Sequence, residues 1–303
     1  MKIKNIRMAL TSPEARFSIL SSRGFYNHLS DEAYIRKANK VRVGKKLDLE
    51  HPITFNEKIQ WLKLYDHNPI YPQLIDKYIV KKFVAEKIGE EYVIPNLGVW
   101  SSFDEIDFDK LPDQFVLKCT HDSGGVVIVK DKGSLDISEA KKKLEKSLQR
   151  NYYYSGREWG YKNIKPRIIG EMYLEDKEYM VPNDYKIFNF DGKARLIQVD
   201  FDRFVNHRRN LYDTDWNYID ASIQYPKDPN TVIKKPEQLN VMLELSEKLS
   251  AGFPHVRTDF YVVNDRIYFG EMTFWHGSGF EKFEPEQLGI TMGEWLKLPR
   301  ARK

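Results

Sequence analysis

Residues 257–283, RTDFYVVNDRIYFGEMTFWHGSGFEKF, constrain this chain more than any other stretch. β-Branched and aromatic residues fill 256–263, Asn264-Asp265 supplies a turn, and 266–272 runs back, so the pattern predicts a β-hairpin. Asp259 lies on the outgoing strand, whereas Glu271 and Thr273 lie two apart on the return strand and share a face. Arg257, two residues before Asp259, points to the same side as that carboxylate. Tight pairing about the turn would bring two carboxylates and a hydroxyl together. Hard cations such as Mg²⁺ take oxygen ligands of this kind, often one or two carboxylates completed by substrate phosphates. An arginine beside such ligands suits phosphate charge. The competing reading is a pair of ordinary solvent-facing strand residues.

The chain has 303 residues, long enough for two or three subdomains and a sizeable core. Apolar residues make up 41% and charged residues 30%, which predicts a soluble globular protein, and no apolar run is long enough to span a bilayer. Lys2, Lys4 and Arg7 precede a polar break at 11–16, so no signal-peptide core is expected. The single cysteine, Cys119, excludes an internal disulfide framework and a cysteine-based zinc cluster, and fits a cytoplasmic setting. A net charge of +4 suits an anionic substrate or a transient contact with a membrane surface; it is far from a nucleic-acid-binding signature.

The order of elements reads as helices, then an α+β unit, then a larger sheet-rich α+β unit. Residues 1–72 read as helical, with one helix starting at Ser30 and ending near Gly44. Thr54-Phe-Asn-Glu57 has the capping-box pattern, followed by Phe55, Ile59 and Leu62 at helical spacing; Pro69 and Pro72 end the segment. A second helix is predicted over 76–87, with Ile75, Ile79 and Phe83 on its buried face and Gly89 after its end. Short strands are expected at 91–94, 115–119 and 126–130, and a basic helix at 136–150. The aromatic-rich stretch 151–166 reads as a mobile loop, and residues 119–165, from the polar Gly turn through that loop, are expected to form a lid. Further strands are predicted at 167–173, 185–190 and 194–199, and a helix at 236–251.

Several groups could carry chemistry. The turn Ser123-Gly124-Gly125 follows a strand bearing Lys118; a Gly turn lets backbone N–H groups close over polyphosphate, and the lysine adds a point charge. Lys77, at the start of its helix, is a weaker candidate. Asp184 and Lys186 open a strand where they suit a ribose hydroxyl and a phosphate. Residues 168–173 could offer backbone groups to a purine edge. Gly277-Ser278-Gly279 permits close approach to a substrate, and Arg203, His207, Arg208 and Arg209 form a basic cluster suited to an acidic acceptor. His121 and His276 are candidates for acid–base work. Each alone is equally explained as a plain turn, a buried strand or a solvated patch.

Together these pieces resemble the ATP-grasp fold. The shared order is Asp76-Lys77, then Leu117-Lys118 with its Gly turn, then a strand with Glu171, and last Asp259 with Glu271. More narrowly, the chain is similar to the TupA-like amidoligases named for teichuronopeptide synthesis. That similarity rests on PITFNEKIQWLKLYD (52–66), DKYIVKKFVAEKIGEEYVIP (76–95), FVLKCTHDSGG (115–125), NDYKIFNFDGKARLIQVDFDR (183–203) and RTDFYVV…IYFGEMTFWHGSGF (257–280), nearly the whole chain past residue 30. Where many ATP-grasp enzymes have Asn as the last metal ligand, this chain has Thr273, and a helical N-terminus replaces the usual α/β domain.

The resemblance implies two α+β subdomains, at 73–166 with a Gly-turn lid and at 167–303 with the metal site, after a helical region at 1–72. It implies ATP and Mg²⁺ as cofactors and a bacterial ligase that joins an amino acid or small amine to the carboxylate of an acidic sugar or polysaccharide precursor through an acyl phosphate. Carried over residue by residue, Lys77 and Lys118 meet phosphates under the 123–125 turn. Ile169, Glu171, Met172 and Tyr173 hold adenine, and Asp184 and Lys186 meet ribose and phosphate. Asp259, Glu271 and Thr273 hold Mg²⁺, and Arg257 with Glu271 stabilises the transferring phosphoryl group. Arg203, Arg208, His276 and Ser278 are the expected acceptor contacts. Two other readings compete: a nucleotide-sugar glycosyltransferase, for which Asp200-Phe-Asp202 and Asp213-Thr-Asp215 have the letters although neither follows a Rossmann-like unit, and a nucleotide-binding protein without turnover.

Overall fold

The computed structural model describes residues 12–176, 184–201 and 207–301. Its first helices, α1 (Pro13–Ser22) and α2 (Asp31–Arg42), are capped by the Ser12 and Ser30 hydroxyls. Helix α3 (Phe55–Tyr65) begins in the capping box predicted for Thr54 and Glu57, and Phe55, Ile59 and Leu62 are all buried. Pro72 does not end the segment. It sits in the first turn of a short helix, α4 (Tyr71–Ile75), where a missing N–H costs nothing. Helix α5 (Val80–Ile88) starts later than predicted, because the Asp76 carboxylate accepts from the backbone of Tyr78 and Ile79 and holds those residues in a turn. Its buried face is therefore Val80 and Val84, and Ile79 is exposed.

The strand expected at 91–94 is instead a 3-10 turn, Glu90–Tyr92, and the strand begins beyond Pro95 as β1 (Asn96–Trp100). Strands β2 (Phe115–Cys119) and β3 (Val126–Val129) flank the Gly turn, and helix α6 (Ile137–Leu148) follows. After the single turn α7 (Tyr153–Gly156) comes β4 (Ile168–Met172). These strands form one antiparallel sheet in the order β1-β4-β2-β3. The boundary drawn at 166/167 therefore moves past 172: β4 lies in the middle of the small sheet, paired on both edges. Phe115, Leu117, Val129 and Ile168 pack with Ala140 and Leu144 of α6.

The larger sheet is antiparallel throughout. It contains β5 (Asp184–Phe190), β6 (Lys193–Phe201), β7 (Arg208–Tyr212) and β8 (Tyr218–Ile219). Beyond β9 (Ser222–Ile223) and α8 (Leu239–Ser250) lie the hairpin β10 (His255–Val263) and β11 (Arg266–Thr273), then β12 (Phe283–Glu284) and α9 (Glu286–Trp295). The order is β11-β10-β5-β6-β7-β8, with β12 paired to β9 alone. Helix α8 covers one face, where Ser246 Oγ meets Thr258 Oγ1 at 2.5 Å and Asn189 Oδ1 at 2.9 Å. Helices α3, α4, α5 and α9 contribute to the same core, so the N-terminal helices are built into the larger unit.

The stretch 151–166 is anchored rather than loose. Arg157 is 2% exposed, donates to the Tyr26 carbonyl at 2.8 Å, and lies over the rings of Tyr34, Tyr153 and Tyr154. The expected lid narrows to the Gly turn, where Ser123 and Gly124 are exposed and Gly124 has φ +111°. In the hairpin, Val263 pairs with Arg266 as the Asn264-Asp265 turn requires, but the register shifts between Asp259 and Phe260. Gly270 is the extra residue of this β-bulge, and a Cβ there would press on the Asp259 carbonyl at 3.1 Å. The bulge sets Asp259 opposite Glu271 and Arg257 opposite Thr273.

Phe55 is fully buried against Phe190, His255 and Phe283, which makes it the joint between α3 and the larger sheet. Phe55→Ala is expected to lower unfolding free energy by about 3–5 kcal/mol in urea titrations. Val232→Ala, at a residue 90% exposed, should stay within about 0.5 kcal/mol of the parent.

Candidate active site

Cross-strand pairing sets Asp259 beside Lys186 and Arg257 beside Phe188, so one face of the larger sheet gathers the charged residues of β5, β10 and β11. Arg257 is the hub. Its Nε donates to Asp259 Oδ1 at 2.6 Å, and its Nη2 donates to Asp259 Oδ2 at 2.7 Å and Glu271 Oε1 at 2.9 Å. Lys186 Nζ donates to Asp259 Oδ2 at 2.6 Å and Asp184 Oδ2 at 2.5 Å. Burial alone would lower the Lys186 ammonium, but Asp184 and Asp259 outweigh it and raise it above its ordinary value. Burial would raise Glu271, yet Arg257, Lys77 and Lys186 hold it down at about 2. Glu271 is thus an ionised carboxylate at neutral pH, with its side chain 43% exposed.

A second cluster sits on the small sheet, on the face away from α6. Lys118, Val126, Ile169 and Glu171 are on this face, as are Val116 and the exposed Ile128. Glu171, 4% exposed, pairs with Lys118 and, at 2.7 Å, with Lys81. Burial pushes the Glu171 carboxyl up, but the two lysines outweigh it and hold it below its ordinary value. Lys81 also donates to the Ile94 carbonyl at 2.6 Å. In sequence it is one of several lysines in VKKFVAEK, and nothing there separates it from surface lysines; only its burial does.

Lys77 joins the two clusters. Its Nζ donates to the Asp122 carbonyl in the Gly turn at 2.5 Å and its charge acts on Glu271 across the gap. The Gly turn is latched from below, since the Ser147 hydroxyl bonds Asp122, and a Cβ on Gly125 would overlap Ser147. Tyr152 bonds Ser123 from the 151–166 segment. Behind the loop after β11, Lys63 Nζ donates to the carbonyls of Gly156 at 2.7 Å and Ser278 at 2.9 Å. Burial pulls Lys63 down to about 7 and pushes its neighbour Glu158 up to about 7. Neither residue carries a signal in the sequence.

Several expected contacts are corrected by these positions. Ile169 is fully buried in the centre of the small sheet with partners on both sides, so its backbone cannot meet a purine edge; Met172, 46% exposed, and Tyr173 lie at the open end. Asp184 is turned into the charged cluster by Lys186 rather than toward a ribose. His276 is 2% exposed and Ser278 is engaged with Lys63, which removes both as direct acceptor contacts. In the basic cluster, Arg209 points inward to Asp200 at 2.6 Å, while Arg208 is half-buried; Arg203 lies outside the described residues. Asp213 accepts from the backbone of Asp215 and Asn217, so Asp213-Thr-Asp215 forms a local turn.

Among the described residues, no group of three His, Cys, Asp or Glu side chains converges so as to hold a metal ion. Asp259, Glu271 and the Thr273 hydroxyl, which bonds Glu271 at 3.3 Å, nevertheless form an all-oxygen set of two carboxylates and a hydroxyl. That set fits Mg²⁺, which keeps waters and substrate phosphates for its other positions. Within it, Asp259 is saturated by Arg257 and Lys186, so Glu271 is the half-exposed donor.

A family model described as TupA-like ATPgrasp matches residues 57–297. No curated protein matches the chain significantly. Among solved structures, D-alanine–D-alanine ligase from Bacillus anthracis, complexed with ATP, is similar at 18% identity and a TM-score of 0.38, over 72% of this chain and 58% of that one. N5-carboxyaminoimidazole synthetase from Staphylococcus aureus is similar at 17% identity and a TM-score of 0.39, over 75% and 53%. The ATP-grasp ligase PsnB with its minimal precursor, Mg and ADP is similar at 9% identity and a TM-score of 0.39, over 72% and 57%. The matched region therefore spans little more than half of each of these structures.

Lys81→Met leaves the buried Glu171 with Lys118 alone, so the variant should lose part of the about 3–5 kcal/mol that stripping a buried charge of every partner would cost. Because the folded carboxyl lies below its ordinary value of 4.5, its ionic contribution is present above that value and fades as pH falls through the depressed one. Urea unfolding should therefore show a larger deficit for Lys81→Met at about pH 7 than at about pH 4.

Proposed function

The chain belongs to the TupA-like ATP-grasp family, and on that premise we propose that it is an ATP- and Mg²⁺-dependent ligase joining a carboxylate to an amine. The observation that carries this reading is the charged face built on Arg257, Lys186, Asp259 and Glu271, with Lys77, bonded to the Gly turn, acting on Glu271 by its charge. Cations suited to polyphosphate and carboxylates suited to a hard metal are thus held side by side on one face.

In this reading Lys118 and Lys77 bind phosphates, the backbone of 123–125 closes over them, and Val126, Ile128 and Tyr173 offer apolar surface to the base. Asp259, Glu271 and Thr273 would hold Mg²⁺, which when bound offsets charge on the phosphoryl group being transferred. Arg257, fixed on two edges by carboxylates, meets the γ-phosphate with no reorganisation at the moment of reaction. Lys186 holds the Asp259 carboxylate in place. The substrate carboxylate attacks the γ-phosphorus and ADP departs, leaving an acyl phosphate. The amine nitrogen then attacks the acyl carbon, inorganic phosphate leaves, and the ammonium proton is lost to give the amide.

For the acceptor we propose an acidic sugar of a bacterial surface polysaccharide, with an amino acid or small amine as the nucleophile. The similarity to teichuronopeptide-type amidoligases supports this assignment, and the net charge of +4 accords with an anionic acceptor. Among the described residues, no helix is long and apolar enough to cross a membrane.

The deciding experiment measures phosphate release from ATP and Mg²⁺ with a panel of uronic acids and amino acids; release that requires both partners is expected, and release indifferent to them would refute the ligase. Glu271→Gln keeps the size and removes the charge. It should lower kcat by about a hundred- to a thousand-fold while nucleotide affinity changes far less, since charge on the phosphoryl group peaks in the transition state. Thr273→Asn should preserve or sharpen the Mg²⁺ dependence.

A further inference from the structure

The loop after β11 carries a chain of contacts that the phosphoryl-transfer reading leaves unused. Arg257 Nη1 lies 2.7 Å from His276 Nδ1. A guanidinium has no acceptor atom, so Nδ1 accepts and the imidazole proton resides on Nε2. His276 Nε2 in turn lies 2.7 Å from Glu281 Oε2, close enough for the carboxylate's charge to act on it but not aligned as a hydrogen bond, and that oxygen also faces Arg209 Nη1 at 3.4 Å. Arg209 is fixed by Asp200 at 2.6 Å and by the Ile223 carbonyl at 2.9 Å. The imidazole is buried, edge-on to Phe188 with centroids 4.7 Å apart. Gly277 has φ +54°, and a Cβ there would overlap the Glu281 side chain, so the glycine is what lets Glu281 reach back under the loop.

We propose that His276 and Glu281 are positioning residues for Arg257. The Glu281 carboxylate beside Nε2 favours the proton on that nitrogen, and His276 then presents Nδ1 as the acceptor that fixes the third edge of the guanidinium. Asp259 and Glu271 hold the other two edges, so Arg257 is aimed from every side that the protein controls. A carboxylate that orients a histidine, which in turn orients the working group, is a recurrent arrangement in metal and hydrolase sites. The inference rests on the reading that Arg257 meets the γ-phosphate. Its consequence is specific: misaiming Arg257 weakens binding of a nucleotide that has a γ-phosphate and spares one that lacks it. A role in packing alone would affect both equally.

Calorimetry on the full chain with Mg²⁺ and either ADP or the non-hydrolysable analogue AMP-PNP separates these cases. Glu281→Ala and His276→Leu should bind ADP within about two-fold of the parent and AMP-PNP about ten- to a hundred-fold more weakly. Glu281→Gln and His276→Gln each keep an acceptor in place and should recover most of the loss. Glu281→Ala leaves the imidazole in its pocket and reads the same effect where His276→Leu does not fold. ¹⁵N spectra of histidine-labelled protein should show His276 as the Nε2–H tautomer in the parent and a mixture in Glu281→Ala. If the parent prefers AMP-PNP and the variants keep that preference unchanged, the positioning role is overturned. If the parent binds neither nucleotide, the ligase reading fails instead, and an Nδ1–H tautomer in the parent overturns the His276 assignment on its own.

Discussion

The grip of Asp259 on Arg257 is the interaction on which the larger sheet's charged face depends. Two parallel N–H···O bonds of 2.6 and 2.7 Å join side chains two residues apart on the same strand. The geometry is bidentate and charge-assisted, the strongest form such a pair takes. Lys186 also engages the carboxylate, from β5, and Glu271 shares the guanidinium from β11. Remove Arg257 and Asp259 and Glu271 become neighbouring like charges, one of them buried, with Lys186 as the remaining close cation.

Folding stability does not explain such a cluster. Desolvating an ion pair offsets most of its Coulomb attraction, and apolar residues of the same volume often stabilise a protein equally well or better. Four charged side chains buried on one sheet face, Asp184, Lys186, Arg257 and Asp259, therefore point to chemistry performed there. The opposite face of the same sheet shows the contrast. There Val256, Phe260, Ile187 and Val199 pack under α8, at about 25 cal/mol for each Å² of apolar surface removed from water.

Glu171 plays a related part on the small sheet. Held by both Lys81 and Lys118, it keeps a counter-ion even when one lysine turns to another anion. Loss of either lysine contact therefore does not strand a buried charge, a change that would otherwise cost several kcal/mol, on the order of 3–5. The N-terminal helices matter in the same sense. Lys63 of α3 holds the Ser278 carbonyl, and Gln60 of α3 holds that of Gly279 at 2.7 Å, so the loop bearing His276 is clamped from outside the sheet.

The sequence by itself determined the local elements: the capping box at Thr54, the strands and turns whose side chains alternate or change hand, and the membership of Arg257, Asp259, Glu271 and Thr273 in one hairpin. These were legible because they depend on neighbours within a few residues. Only the tertiary structure decided that Glu271, not Gly270, stands opposite Asp259. A two-residue turn with regular pairing would have matched Asp259 to Gly270, and the bulge shifts the register by one. Likewise, Ile168–Met172 reads as an ordinary apolar strand, and only its pairing on both edges put it in the small sheet and closed its backbone to a ligand. Lys81, Lys63 and Glu281 look like surface residues in sequence. What distinguishes them is burial beside partners 90, 215 and 72 positions away, Glu171, Ser278 and Arg209, and no local pattern encodes contacts at that separation.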